Sequence, residues 1–355
     1  MARGKIGLAL GGGAARGWAH IGVIKALESA GIRPDVIAGT SIGAVVGGCY
    51  AADQFEAIEA FARSMTPRRM FGFFDLNLAG SGLINGQRLS DALEEQLDDM
   101  RIEDLPRPFT AIATEIGTGH EVWLNRGRMV EAIRASYAIP GIFKPVRIQD
   151  RWLFDGALVN PIPVSVCRAL GARHVIAVNL NADLFTLGTV LTDFNGAAEA
   201  EPASIANAIA DEAANGDVPD VTQDDTDKPA DPATRGARAL IQRQMFGFGR
   251  RTAEPDVPSI STIMVDAFNI VHDRIARSRL AGDPPDVLIN PRLGKIGLFD
   301  FHRADDLIRI GEATALRTIA ALRQDAQAIE DDESTRPDEE AVRAGAEALQ
   351  NAAAS

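Results

Sequence analysis

The chain has 355 residues, of which 46% are hydrophobic and 24% are charged, and its formal net charge is −13. This composition is ordinary for a soluble globular protein, and the acidic balance argues against non-specific nucleic-acid binding. Cys49 and Cys167 offer neither a disulfide framework nor a metal-ligand spacing, and no stretch resembles a secretory signal or reaches the length of a membrane span. We therefore expect a cytoplasmic protein that at most rests on the inner membrane surface.

The first 50 residues alternate between strand and helix. An apolar run over 5–10 predicts a strand buried on both faces, and the apolar residues at 21, 24 and 27 repeat at helical spacing. A second apolar strand over 36–38 leads into Ser41, after which small residues continue as a helix. This alternation predicts an α/β fold with a mainly parallel central sheet.

Ser41 lies between two glycines in the sequence Gly39-Thr40-Ser41-Ile42-Gly43. A sharp reversal from strand to helix strains the serine backbone, and a side chain at either glycine would collide. The turn lifts the hydroxyl clear of the sheet at a helix N-terminus, which suits a nucleophile. A short pattern of this kind also occurs in turns that have no catalytic role, so such a turn is the alternative.

A glycine-rich loop, Gly11-Gly12-Gly13-Ala14-Ala15-Arg16-Gly17, follows the first strand. It fits a dinucleotide-binding fingerprint poorly because Asp35 precedes the second strand, and it lacks the Lys-Ser/Thr ending of a P-loop. As an oxyanion hole, its N–H groups would turn toward a negative oxygen, and Arg16 would add a cation. The loop and the Ser41 turn follow neighbouring parallel strands, so both would meet at the carboxyl edge of the sheet. Their convergence favours serine acyl chemistry over a nucleotide site or a structural loop.

The middle of the chain continues this pattern with helices over 51–65, 87–99 and 128–138 and strands over 109–114 and 120–124. Residues 65–74 combine two arginines with Met and Phe, which suits either an anionic lipid surface or a loop packed on the core. Asp155 ends an apolar segment and precedes Gly156. A half-buried acid there would need a purpose such as accepting a proton, although a turn-forming Asp before Gly is common.

The last half of the chain departs from the alternation once. A helix over 159–169 and a strand over 174–180 precede residues 181–258, which are acidic and rich in Ala and Pro and predict a largely disordered insertion. Within it, the apolar and basic segment 237–251 suits a lid, a lipid contact or packing on the body. We predict a catalytic core of residues 1–180, the insertion 181–258, a C-terminal part of the same domain over 259–322, and an acidic Ala-rich tail over 323–355. The C-terminal part contains helices over 259–280 and 303–322 and a strand over 286–290.

Four motifs in order make the chain resemble the bacterial patatin-like phospholipases, in the branch related to neuropathy target esterase. They are the loop 11–17, the turn 39–43, the stretch 135–146 and Asp155-Gly156-Ala157. The resemblance implies a three-layer α/β fold and hydrolysis of carboxylic esters in phospholipids or lysophospholipids. It makes Ser41 the nucleophile and Asp155 its dyad partner, and it assigns the oxyanion site to Gly11, Gly12, Gly13 and Arg16. Ala157 replaces a glycine found in many relatives and is small enough to be tolerated.

A Ser-Asp dyad works without histidine, metal or cofactor, and we expect none of these here. Asp155 would accept the Ser41 proton directly. None of the five histidines lies in a context typical of a catalytic loop, and we expect His20 to pack on the first helix or to lie on its surface. The alternative function is a non-catalytic regulatory or adaptor protein that retains the fold and binds through its acidic insertion.

Overall fold

The computed structural model describes residues 4–67, 69, 87–183, 260–294 and 296–335. Eight strands form one sheet, in which hydrogen bonding connects the strands in the order β5-β6-β3-β2-β1-β7-β8 and β4 also pairs with β3. The strands are β1 (Ile6–Leu10), β2 (Val36–Thr40), β3 (Phe109–Glu115), β4 (Glu121–Leu124), β5 (Val146–Ile148), β6 (Arg151–Asp155), β7 (His174–Val178) and β8 (Val287–Ile289).

The helices cover both faces of this sheet. They are α1 (Ala19–Ser29), α2 (Ile42–Ala51), α3 (Phe55–Arg63), α4 (Gln87–Leu97), α5 (Met129–Ser136), α6 (Val164–Ala169), α7 (Ile260–Gly282) and α8 (Ala304–Thr335). On β1, Leu8 and Leu10 pack into the helical layer that contains α1, α2, α5 and α8, and Ala9 packs into the layer of α6 and α7. The molecule therefore has three layers, with the sheet between two layers of helices. The predicted fold class is confirmed.

The central strands pair in parallel, and the strands at one end do not. β1 pairs in parallel with β2 and β7, β2 with β3, and β7 with β8. All five β2 residues are buried, as the apolar run predicts for a strand covered on both faces. β4 and β6 pair with β3 in antiparallel fashion, and β5 pairs likewise with β6.

Several predicted element boundaries are wrong for local reasons. The helix expected over 51–65 begins only at Phe55, because a turn containing Asp53, whose φ is 56°, separates it from α2. The helix expected over 159–169 starts at Val164, after Pro161 and Pro163. Proline has no backbone N–H, so neither residue can donate a helical hydrogen bond. α8 continues to Thr335, past the helix end predicted at 322.

Other predictions concern residues outside the described ranges. The 237–251 segment, most of the 181–258 insertion, most of the 65–74 cluster and residues 336–355 all lie there. The predicted domain boundaries stay predictions. Within the described ranges, no helix combines the length and the apolar character that crossing a bilayer requires.

Candidate active site

Ser41 occupies a strained turn between β2 and α2. Its φ of 57° and ψ of −124° lie in a region that residues other than glycine rarely adopt. A Cβ on Gly39 would overlap the Gly43 carbonyl, and one on Gly43 would overlap the Leu10 carbonyl. The tight reversal therefore requires glycine at both positions, for the steric reason that the sequence suggests.

The Ser41 backbone is held from a third element. Its N–H donates to the Ser136 hydroxyl at 2.9 Å, and Ser136 is fully buried at the C-terminal end of α5. A buried N–H without an acceptor would destabilise the turn, so this hydrogen bond stabilises it. Sequence reasoning included Ser136 only as part of the motif 135–146 and missed this contact.

The sheet register brings Ser41 and Asp155 together. β4 occupies one edge of β3 over Ala111–Thr114, so β2 and β6 share the other edge. On that edge Thr40 pairs with Ile112, and Asp155 pairs with the next residue, Ala113. Since β2 runs parallel to β3 and β6 runs antiparallel, their C-terminal ends meet head to head. The residue after β2 therefore lies beside the last residue of β6.

The two side chains form a short hydrogen bond. The Ser41 hydroxyl donates to Asp155 Oδ2 at 2.6 Å, and the Ala157 N–H donates to Asp155 Oδ1 at 2.8 Å. Asp155 is fully buried, not half-buried as we expected from the sequence. Burial raises the pKa of Asp155 to about 7, although both hydrogen bonds oppose the rise. A carboxyl group with this pKa can accept and return a proton near neutral pH.

Two of the predicted oxyanion donors are already engaged. The Gly11 N–H donates to the Val178 carbonyl and the Gly12 N–H to the Pro161 carbonyl, each at 3.1 Å. The Gly13 N–H forms no hydrogen bond with any described residue. The hydrogen bonds of the Gly11 and Gly12 amides fix the path of the loop, and the oxyanion role predicted for the loop stays a prediction.

Gly12 lies directly against Ser41. A Cβ at this position would stand 3.4 Å from Ser41 Cβ and 3.2 Å from His272 Cε1. Its peptide groups therefore border the space in which an ester carbonyl would meet the serine hydroxyl.

Arg16 is buried and supports this loop from behind. Its Nε donates to the Ile296 carbonyl at 2.8 Å and its Nη1 to Asn181 Oδ1 at 3.2 Å, while Nη2 has no partner among the described residues. Burial lowers the pKa of Arg16 to about 10, so the side chain remains a cation at neutral pH. These contacts connect the loop to Asn181, which follows β7, and to Ile296, which follows β8.

His20 is fully buried and binds the same loop. Its Nε2 lies 2.8 Å from the Gly11 carbonyl oxygen, which can only accept, so this nitrogen carries the proton. Burial lowers the pKa of His20 to about 4, which keeps the ring neutral. His20 thus packs in the interior rather than lying on the helix surface.

Comparison with known proteins identifies the family. The family description "patatin-like phospholipase" matches residues 8–168. An NTE family protein of Mycobacterium tuberculosis is 32% identical over 368 aligned positions, which cover 93% of this chain and 94% of that protein. The chain belongs to the NTE family of patatin-like phospholipases. The predicted recognition and the lipid ester hydrolase class are therefore confirmed.

Two longer relatives match about half of this chain. The human patatin-like phospholipase domain-containing protein 6 is 33% identical over 198 positions, which cover 53% of this chain and 14% of that protein. Lysophospholipase nte1 of Emericella nidulans is 34% identical over 182 positions, which cover 50% of this chain and 12% of that protein. Among solved structures, VipD from Legionella pneumophila matches with a TM-score of 0.42 at 12% identity, over 90% of this chain and 67% of VipD.

In this NTE family chain, two polar side chains beyond residue 168 reach the glycine-rich loop over 11–17. Asn181 Nδ2 lies 3.3 Å from the Gly12 carbonyl oxygen and also 3.3 Å from His272 Nε2. Burial lowers the pKa of His272 to about 4, so its ring is neutral. Sequence reasoning missed both residues. The position of Asn181 just past the carboxyl end of a buried parallel strand is the signal that could have identified it.

The described residues contain no group of three His, Cys, Asp or Glu side chains arranged to hold a metal ion.

Proposed function

We propose that this chain hydrolyses carboxylic ester bonds of phospholipids or lysophospholipids through a Ser41–Asp155 dyad. The supporting observation is the 2.6 Å hydrogen bond from the Ser41 hydroxyl to a fully buried Asp155 carboxyl group. A serine hydroxyl needs a positioned base to become nucleophilic, and Asp155 is the titratable group that it contacts.

In the acylation step, Ser41 Oγ attacks the ester carbonyl carbon while Asp155 Oδ2 accepts the hydroxyl proton. The carbonyl π electrons move onto the oxygen, and the Gly13 N–H stabilises the oxyanion. Collapse of this intermediate breaks the bond to the alcohol oxygen, which leaves with the proton from Asp155. The acyl group is then bound to Ser41 as an ester.

Deacylation repeats these steps with water. A water molecule gives one proton to Asp155 as its oxygen attacks the acyl carbon, and a second tetrahedral oxyanion forms. Collapse breaks the bond to Ser41 Oγ, and Asp155 returns the proton to the serine. A fatty acid leaves, and the dyad is restored.

The family and its named relatives support the proposed lipid class. One fungal relative is named a lysophospholipase, and the family description is that of a phospholipase. Fatty-acid release from lysophosphatidylcholine and from phosphatidylcholine, measured side by side, distinguishes the two substrate classes.

Labelling with a fluorophosphonate probe tests the dyad. We expect labelling of the wild-type chain and none of Ser41→Ala. Fatty-acid release should fall at least about 10³-fold in Ser41→Ala and in Asp155→Asn. Ser278→Ala and Asp150→Asn, which alter exposed positions, are the matched controls.

Full activity in either dyad variant would exclude the mechanism. Loss of activity in a His272 variant but not in Asp155→Asn would replace the dyad mechanism with a histidine-based one. Absence of labelling in well-folded wild-type protein would favour the adaptor alternative.

We also propose contact with the surface of an anionic membrane, because the substrate lipids reside there and segments 65–74 and 237–251 combine apolar with basic residues. Co-sedimentation with anionic liposomes should weaken when residues 237–251 are deleted. Unchanged binding would exclude this segment as the contact.

A further inference from the structure

We propose that Asn181 is a positioning residue that holds the Gly12–Gly13 peptide so that the Gly13 N–H faces the Ser41 hydroxyl. This inference rests on the proposed ester hydrolysis. It assigns a role to a side chain outside the region 8–168 that matches the family description.

The contacts of Asn181 use its whole side-chain amide. Asn181 is 3% exposed, its Oδ1 accepts from Arg16 Nη1 at 3.2 Å, and its Nδ2 donates toward the Gly12 carbonyl and the His272 ring. The orientation of the amide is determined by these neighbours, because guanidinium can only donate and a carbonyl can only accept. Arg16 and the Gly12 carbonyl therefore require Nδ2 to point toward the loop.

The peptide geometry transmits this contact to the oxyanion donor. All peptide bonds in the described residues are trans, so the Gly12 C=O and the Gly13 N–H point in opposite directions in one rigid plane. Asn181 binds the C=O on one side of the loop, and the N–H must then point away from Asn181. Gly12 itself lies against Ser41, and the Gly13 N–H has no partner among the described residues.

A glycine pair needs such a restraint. Gly12 and Gly13 have no side chains to limit rotation of the peptide between them. If this peptide rotated by half a turn, the Gly12 carbonyl oxygen would face the ester oxygen and would repel the developing charge. On the other side of Gly12, His20 holds the Gly11 carbonyl in the same manner. Two side chains thus bind two successive carbonyl groups of the loop.

Asn181→Asp isolates the donor function. Aspartate has the same shape and still accepts from Arg16, but it cannot donate to the Gly12 carbonyl when ionised. We expect kcat for a soluble nitrophenyl ester to fall about 10²-fold in Asn181→Asp and in Asn181→Ala, with KM changed less than about threefold. Asn290→Asp, at an exposed position, should retain wild-type kcat.

Inhibitor binding distinguishes positioning from a structural effect. A trifluoromethyl ketone forms a tetrahedral oxyanion with the serine, whereas an ether analogue of the substrate does not. The affinity for the ketone should fall in proportion to kcat/KM in the Asn181 variants, and the affinity for the ether should stay within about threefold. Wild-type kcat in a folded Asn181 variant, or an equal loss of affinity for both inhibitors, would overturn the proposal.

A crystal structure of the wild-type chain with the ketone tests the geometry without relying on any variant. The hemiketal oxygen should lie about 2.7–3.1 Å from the Gly13 nitrogen, with Asn181 on the Gly12 carbonyl. An oxygen bound elsewhere refutes the role of Asn181 while leaving ester hydrolysis intact. A wild-type chain that neither labels at Ser41 nor releases fatty acid refutes the proposed function instead.

Discussion

At the residue scale, the proposed dyad makes the reaction of Ser41 depend on the protonation state of Asp155. Asp155 must be ionised to accept the serine proton, and burial raises its pKa to about 7. We therefore expect kcat/KM for a non-ionising ester to rise with pH, to reach half of its plateau near pH 7, and to have a slope of one on the acid side. A stopped assay between pH 5 and 9 measures this profile. Full activity maintained down to pH 5 would contradict the raised pKa.

Ser136 gives a second prediction for a single residue. Ser136→Ala removes the acceptor of the Ser41 N–H and leaves that group buried without a partner. We expect kcat to fall about tenfold with little change in KM, and the free energy of unfolding to fall by about 1–2 kcal/mol. Ser136→Cys retains a weak acceptor, so its kcat and its free energy of unfolding should lie between those of the wild type and of Ser136→Ala. Ser278→Ala is the control, and wild-type kcat in Ser136→Ala would show that the turn holds its shape without this bond.

At the element scale, the crossing of α1 and α8 depends on two glycines. A Cβ on Gly22 would overlap the Ile308 carbonyl, and one on Gly311 would overlap the Ala19 carbonyl. The two helix backbones are therefore in direct contact. The close approach packs α8 side chains such as Leu307 and Ile308 into the core.

We expect Gly311→Ala to force these helices apart. Overpacking of this kind costs about 1–3 kcal/mol in the free energy of unfolding, so the Tm should fall by several degrees. Thermal unfolding followed by circular dichroism measures the change. Gly282→Ala, at the end of α7 with open space around its Cβ position, is the matched control. Equal Tm values for the two variants would mean that the helix pair adjusts without loss.

The elements also illustrate what a single sequence can predict. The buried parallel strands and the Ser41 turn follow from local signals, which are continuous apolar runs and glycines at a reversal. The break at Asp53 depends on a left-handed residue that composition does not reveal. The contact between Asn181 and His272 joins residues 91 positions apart, across a segment with no periodic pattern. Local rules cannot predict such a pair, because it forms only when α7 packs beside the loop.

At the scale of the whole molecule, the buried acid links activity to stability. The folded-state pKa of Asp155 is raised above its unfolded value, so folding is favoured fully below about pH 4 and this contribution is lost as the pH rises to about 7. We therefore expect Asp155→Asn to be more stable than the wild type at pH 8, by on the order of 4 kcal/mol, and about equal to it at pH 4. Urea unfolding at the two pH values measures this difference. A difference independent of pH would mean that the carboxyl group titrates normally in the folded chain.

The contacts of Arg16 have a consequence for synthesis of the chain. Arg16 binds the Ile296 carbonyl, 280 positions later, and α1 packs beneath α8. A nascent chain that already contains Ser41 and Asp155 still lacks the segment that completes its first helical layer. At typical translation rates, more than 150 further residues take on the order of ten seconds. The contacts of Arg16 and of α1 can therefore be completed only after Ile296 and α8 have left the ribosome.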